Sequence, residues 1–393
     1  MAVMPYTKQP YNPKPVINRR IMRRILLILL IVGCQKPNTD YQFWHAMGGP
    51  LGDAVSYIVS KTKLKEVNLG SYNTLSQRLI SFAISKRLPL ISQTFPSWAV
   101  EFYKKGLVIP IDSVLPDSVI NKIHPKLLEE VKYKGVLISI PFNKSVPVIF
   151  YNANLMDSLG LKVPKTWDEL REVCINAKRK GIWGFAFSID PWIFYTIFKQ
   201  KGGKDINFNS PEGLEALNYL RNLVLVDSCA YLGSGYSHQD DFASQKVLMI
   251  WATSVSYAFM KPKVKFKMGV VPIPVDKYDS VVISGTNLTI FKGHRQDEYR
   301  EVVNFVSLFL TDSIQMFWSS RTGYSPITKI NLAPKELIPV FKQIERATYE
   351  PKMEIWMRGR RYFATEVMEP VLKGILSPEE ALKGYEKILK TLE

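Results

Sequence analysis

The sequence predicts an α/β protein. Three observations carry that prediction. Short β-branched runs bounded by Gly, Pro, Asn or Lys recur along the chain, capped segments with helical spacing lie between them, and 393 residues suffice for two hydrophobic cores. At 46% hydrophobic and 22% charged residues, the composition excludes a disordered or fibrous chain.

The first strand is expected at Tyr41–His45. Gly48–Gly52 then reads as a turn, and Asp53–Lys63 has helical spacing through Ala54, Ile58 and Val59. Further strands are expected at Glu66–Ser71, Pro89–Phe95, Gly135–Pro141, Val146–Tyr151, Val247–Ala252, Phe266–Ile273 and Ser280–Phe291. Thr166-Trp167-Asp168-Glu169 is a capping box that opens a helix to about Lys180. Ser210-Pro211 opens another, with Pro where its missing N–H costs nothing. Ser377-Pro378-Glu379-Glu380 opens the last, whose apolar stripe is Ala381, Leu382, Tyr385, Ile388 and Leu389.

Residues 1–33 carry Lys8, Lys14, Arg19, Arg20, Arg23 and Arg24 and no acid. Ile25–Val32 follows the basic residues as an unbroken apolar run and ends at Gly33-Cys34, the pattern of an export signal. A helix this short rises only about 12 Å, against a hydrocarbon core of about 30 Å, so no stable span is expected. Ile31-Val32-Gly33-Cys34 resembles the bacterial lipobox, which implies lipidation of Cys34, a tether over 34–40 and attachment to a membrane. Met22-Arg23-Arg24 plus the apolar run is a complete short signal, so translation is expected to start at Met22 rather than Met1. Removing the six basic residues of 1–33 leaves 46 Lys and Arg against 35 acids, a formal +11 in place of +17. Cys174 and Cys229 then remain. They either pair, as the extracytoplasmic compartment allows, or stand as two buried thiols, the reading preferred here because free Cys packs as a small hydrophobe.

Catalytic machinery is not recognisable. The chain has no Gly-x-Ser-x-Gly elbow, phosphate loop, Gly-x-Gly-x-x-Gly or His-Glu-x-x-His. Its four histidines are His45, His124, His238 and His294, with no pairing at metal-ligand spacing. His45 reads as a hydrogen-bonded structural residue, and His238-Gln239-Asp240-Asp241 as a solvated loop rather than a metal site. No cofactor or metal is expected, and the chain reads as a non-enzyme. Aromatic residues are placed more suggestively: Trp44, Tyr72, Phe95, Trp98, Trp192, Trp251, Tyr324 and Trp356 fall at or beside strand ends and loops. In α/β sheets ligands bind where strands end. Flat apolar faces with polar edges suit sugar rings.

Four segments carry a family resemblance: Phe43–Gly49 (FWHAMGG), Ile140–Asn152 (IPFNKSVPVIFYN), Val163–Leu170 (VPKTWDEL) and Thr322–Thr328 (TGYSPIT). In these the chain resembles the extracellular solute-binding proteins of bacterial ATP-driven (ABC) importers, the family of the maltose- and glycerol-3-phosphate-binding proteins, over essentially all of 41–393. The resemblance implies a two-lobed, type II-like periplasmic-binding-protein fold with a ligand cleft between lobes joined by a multi-crossing hinge. Crossings are expected near 143–148, 271–280 and 311–314, which gives one lobe from 41–147 and 271–311 and the other from 148–270 and 312–393. It further implies a monomeric extracytoplasmic receptor that hands its ligand to permease subunits.

Residue by residue, the resemblance to the glycerol-phosphate binders implies ligand contacts at Tyr72, Ser145, Trp192, Ser254, Gly285, Tyr324 and Arg361, with Arg358 and Arg360 as alternatives to the last. Trp44, in the first motif, joins this candidate set. Two positions depart from the pattern. Pro96 stands where a glycerol-binding glutamate is expected, and Ile189 replaces the first of two cleft tryptophans. Loss of a carboxylate acceptor removes hydrogen bonds to hydroxyls, roughly 1.5–3 kcal/mol for a charged bond, which favours a sugar or oligosaccharide over a glycerol-3-phosphate or glycerophosphodiester ligand. Asp190 is the nearest acceptor in sequence. An anchored hydrolase would require a carboxylate pair or an activated nucleophile, and neither is apparent. A nucleic-acid partner would require clustered charge, whereas Lys61, Lys63 and Lys65, and Lys261, Lys263, Lys265 and Lys267, are short alternating runs typical of solvated faces. The remaining +11 suits an anionic membrane surface or acidic wall.

Overall fold

The computed structural model describes residues 40–204 and 206–392. The export segment, the Met22 start, Cys34 and most of the tether lie outside them. Two sheets organise the chain. In the first, β1 (Gln42–His45) runs parallel to β2 (Lys65–Asn68) and β3 (Ile91–Thr94). A small hairpin of β4 (Lys132–Tyr133) and β5 (Val136–Leu137) precedes β6 (Ile140–Ser145). The chain then changes sheet: β7 (Pro147–Asn152) begins one residue after β6 ends. β8 (Trp183–Ser188), β9 (Ala230–Gly233), β10 (Val247–Thr253) and β11 (Met268–Pro272) complete the second sheet in the order β11-β7-β10-β8-β9. β12 (Val281–Ile290) returns to the first sheet, antiparallel to β3 and β6, and β13 (Ala347–Tyr349) pairs with its start. The fold is therefore α/β with two lobes.

Helices cover both sheets. Those used below are α1 (Gly49–Val59), α2 (Tyr72–Ile84), α3 (Pro96–Lys104), α4 (Trp167–Arg179), α5 (Pro191–Gln200), α6 (Pro211–Arg221), α7 (Ser237–Ala243), α8 (Gln296–Phe309), α9 (Asp312–Thr322), α10 (Glu354–Tyr362) and α11 (Pro378–Leu392). Their starts follow local chemistry. Thr166 and Glu169 form the expected capping box of α4, Ser210 caps α6, and Ser71 caps α2 through Thr74 N–H. Among the described residues no helix is long and apolar enough to cross a membrane.

Several expectations need correction. The first helix begins at Gly49, inside the stretch read as a turn. Pro50 suits the first helical turn, and a Cβ on Gly52 would lie 2.6 Å from the Met47 carbonyl oxygen, so that glycine serves close packing instead of a bend. Residues 238–241 lie in helix α7, not a solvated loop, and His238 is buried. The strands β8 and β9 were not anticipated. Gly184 interrupts the first because a Cβ there would overlap the Cys174 backbone, and the second is only four residues long. The segment after Thr311 does not leave for the second lobe at once. Trp318 packs its ring on Phe142 and Phe309, at 5.0 and 5.6 Å, and β13 joins the first sheet. The reason is local: Thr311 Oγ1 turns back to the Leu308 carbonyl, so α8 and α9 meet at a tight corner with no extended crossing strand. The later helices do pack on the second lobe, where Phe363 and Tyr385 lie on Phe208, at 4.8 and 5.4 Å. Finally, Cys174 and Cys229 form a disulfide, with Cα atoms 5.5 Å apart, in place of the preferred pair of thiols.

His45 is structural. It is fully buried at the end of β1, accepts the Met47 N–H at Nδ1 (3.2 Å), and therefore carries its proton on Nε2, which donates to Glu66 Oε1 at 2.7 Å. Burial pushes His45 below its ordinary pKa against the pull of Glu66, and burial lowers His238 likewise. Below about pH 6.5, the ordinary imidazole value, the unfolded chain binds protons that the folded one refuses. Stability is thus complete above that pH and is lost as the pH falls through it. Urea unfolding at about pH 7.5 and about pH 5.5 is expected to show the loss, and His45→Gln to reduce it. Equal wild-type stability at both would contradict this account.

Candidate functional site

The carboxyl ends of β2 and β3 lead into loops that carry three aromatic rings. Tyr72 opens α2, and Phe95 and Trp98 bracket the start of α3. The rings form a ladder, Tyr72 to Phe95 at 4.9 Å and Phe95 to Trp98 at 5.0 Å. Below it lies a polar floor. Gln93 Nε2 donates to the Tyr72 hydroxyl at 3.3 Å and to Thr286 Oγ1 at 2.8 Å, while its Oε1 accepts the Ala46 N–H at 2.9 Å. Asn143 Oδ1 accepts from the Thr286 N–H at 2.8 Å and from its hydroxyl.

Tyr324 comes to the same floor from the α9 terminus. Gly323, in the left-handed region at φ 72°, ends that helix and turns the chain back, and Ser325 N–H bonds the Lys144 carbonyl at 2.7 Å. Trp318 stacks under Tyr324 at 5.7 Å. Both phenols, Tyr72 and Tyr324, are raised above their ordinary pKa, first by burial, and a hydrogen bond with the Asn143 side chain opposes the shift in each. The structure thus joins Tyr72 and Tyr324 to Gln93, Asn143 and Thr286, which sequence reasoning missed. Asn143 lay inside a motif already quoted. A polar residue buried in an apolar strand was the signal.

The other sequence candidates fall in different places. Ser145 ends β6 opposite Ser284. Ser254 is fully buried with its Oγ unpartnered, its N–H on the Val146 carbonyl at 2.9 Å, and its carbonyl beside Gly323, so it adjoins the strand crossing next to Tyr324. Gly285 lies in β12 opposite Lys144 with φ 140°, and a Cβ there would overlap the Asn143 carbonyl oxygen, so only glycine is accommodated. Trp192 is buried, and its indole N–H is spent on the Val282 carbonyl at 2.7 Å, tying α5 to β12. Trp44 is displaced altogether: it is fully buried in the core under α2, with Nε1 on Gln42 and its ring against Phe82. It points away because alternate residues of β1 face opposite sides of the sheet. Arg361 is exposed, whereas Arg360 turns inward to Asp190 Oδ1 at 2.8 Å and Glu350 Oε2 at 3.6 Å. Of the two neighbours on one helix, only Arg360 shares the buried face with Trp356. Asp190 is already committed, since it caps α5 through Trp192 N–H and pairs with Arg360.

Beside Gly285 a cavity of about 30 Å³ is lined by Phe95, Pro96, Ser97, Glu130, Glu350 and Trp356 among others. Burial raises Glu350 against the pull of Arg360. Arg360 stays above its ordinary value although burial opposes it, because Glu350 and Asp190 flank it. Glu130 is paired with Lys144. Charges around the cavity are therefore matched. Among the described residues no three His, Cys, Asp or Glu side chains gather as a metal site would require.

A model of the bacterial extracellular solute-binding protein family matches residues 60–338. The chain is 26% identical over 341 residues to the sn-glycerol-3-phosphate-binding periplasmic protein UgpB of Salmonella paratyphi A, covering 77% of this chain and 78% of that one. It is 26% identical over 342 residues to the UgpB of Escherichia coli K12, covering 78% of each. Solved structures with the same fold include UgpB of Mycobacterium tuberculosis in complex with glycerophosphocholine (TM-score 0.78, 17% identity, 90% of this chain and 98% of that chain). They also include the cyclic α-maltosyl-1,6-maltose binding protein of Arthrobacter globiformis (TM-score 0.77, 21% identity, 89% and 98%).

Proposed function

We infer that this chain, which belongs to the bacterial extracellular solute-binding protein family, is the substrate-binding component of an ABC importer that takes a sugar or oligosaccharide between its lobes. The observation that carries the choice of ligand is the aromatic ladder over the Gln93–Asn143–Thr286 floor. Rings stack on the C–H faces of a sugar, and the floor and the two phenols offer donors and acceptors to its hydroxyls. A glycerophosphodiester or glycerol-3-phosphate is the second reading, favoured by the relatives that bind glycerol-3-phosphate. Against it, Arg360, the arginine of that helix that turns inward, is taken up by two carboxylates.

The two sheets are the natural halves of a closing cleft. The passages Ser145–Pro147 and Pro272–Val281 would act as hinge strands, and ligand would favour the closed state because only that state touches it from both lobes. Tethering through Cys34, delivery to a permease as a monomer and the absence of turnover complete the proposal. Its test is a thermal-shift screen with sugars, polyols and glycerophosphodiesters. A binder at about 100 times its dissociation constant adds roughly 2.7 kcal/mol. Tyr324→Ala is expected to abolish that shift at the same concentration, and no shift with any compound would overturn the function.

A further inference from the structure

We propose that the cavity beside Gly285 receives one hydroxyl group of the bound solute, selected by Ser97 and Glu350; this rests on the solute-binding reading above. At about 30 Å³ the space holds one water-sized group. Ser97 is 5% exposed, lines the cavity, and its Oγ has no partner. Glu350 lines it too. Its Oε2 is engaged by Trp356 Nε1 at 3.0 Å, while its buried Oε1 has no partner.

A donor and an acceptor that face one water-sized space match a group that both gives and takes a hydrogen bond. A phosphate oxygen has no proton for Glu350. A full charge of either sign would upset a surround in which Glu130 is balanced by Lys144 and Glu350 by Arg360. A methyl group would leave both Ser97 and Glu350 unpaired, and a site built around a hydroxyl rejects such an analogue strongly. Pro96 and Glu350 border the same cavity.

Isothermal titration of the mature protein with maltose, sn-glycerol 3-phosphate and glycerophosphocholine, followed by each monodeoxy analogue of whichever binds, tests this. Removal of one particular hydroxyl is expected to weaken wild type about tenfold or more, and to cost Ser97→Ala under about threefold, with the penalties for other hydroxyls unchanged. Glu350→Gln, with folding checked by thermal unfolding, is expected to narrow the same penalty. Binding with an identical deoxy pattern in wild type and both variants overturns the subsite alone and leaves the cavity to a buried water. Failure of all three compounds to bind wild type overturns the solute-binding reading, and the subsite with it.

Discussion

Lys144→Met is expected to destabilise the protein by about 3–5 kcal/mol, the usual cost of stranding one partner of a buried ion pair. Lys144 and Glu130 are 1% and 3% exposed and pair with each other. Burial pushes the Lys144 ammonium below its ordinary pKa against the pull of Glu130. Without Lys144 the Glu130 carboxylate would remain buried beside Tyr349 and Trp356 with no counter-charge. Lys352 is a nearby substitute, since it feels the charge of Glu130, but its ammonium is held by the Lys132 carbonyl at 2.8 Å. The pair as a whole contributes far less than its breakage costs, because desolvation of two ions offsets their attraction. Lys144→Met with Glu130→Leu should therefore recover most of the loss. Urea unfolding of wild type, single and double variants measures both quantities. A single variant that loses under about 1 kcal/mol would mean that Lys352 takes the place of Lys144.

That pair also shows where sequence reasoning stops. Lys144 sits in the motif Ile140–Asn152, where the expected strand Val146–Tyr151 matches β7, whereas β6 meets the expected strand Gly135–Pro141 only at its first two residues. Nothing in the run says that a lysine there points inward, since its partner lies 14 residues upstream on a short helix. The elements with period-two apolar runs or side-chain caps were legible: β1, β3, β7, β10 and β12, and helices α4, α6 and α11. β8 and β9 were not, because glycine breaks their pattern and tertiary contact with α4 supplies the stability that composition does not show. In the site, Tyr72 and Tyr324 were named from motifs and do meet at Asn143. Trp44 was misplaced because aromatic identity near a strand end does not fix the face it occupies. Arg361 faces solvent where Arg360 turns inward, because one residue along a helix rotates a side chain by about 100°. Register on a helix and facing on a strand depend on what packs behind them, which a motif does not encode.

Removal of the Cys174–Cys229 bridge is the other large effect, about 4 kcal/mol on the chain-entropy account of a loop whose ends are 55 residues apart. The loop it closes contains β8, α5 and α6, the core of the second lobe. Both cysteines are fully buried. Cys174 lies on α4 against the glycine of β8, and Gly184 N–H bonds the Cys229 carbonyl at 3.0 Å, so the bridge fastens helix to sheet where backbone contact is already tight. Cys174→Ala with Cys229→Ala avoids the unpaired hydroxyls that serine would bury at the same place. For a chain of this size the change corresponds to a drop in Tm of about 5 °C. Reductant alone should act slowly on the folded protein, since exchange requires access to a buried sulfur, and quickly once urea opens the lobe. Two readouts separate the cases. Alkylation of the denatured, unreduced protein that labels neither cysteine establishes the bridge, and labelling of both restores the buried-thiol reading. A bridge present but worth under about 1 kcal/mol would place its action in the unfolded chain, where residual structure already holds the loop ends together.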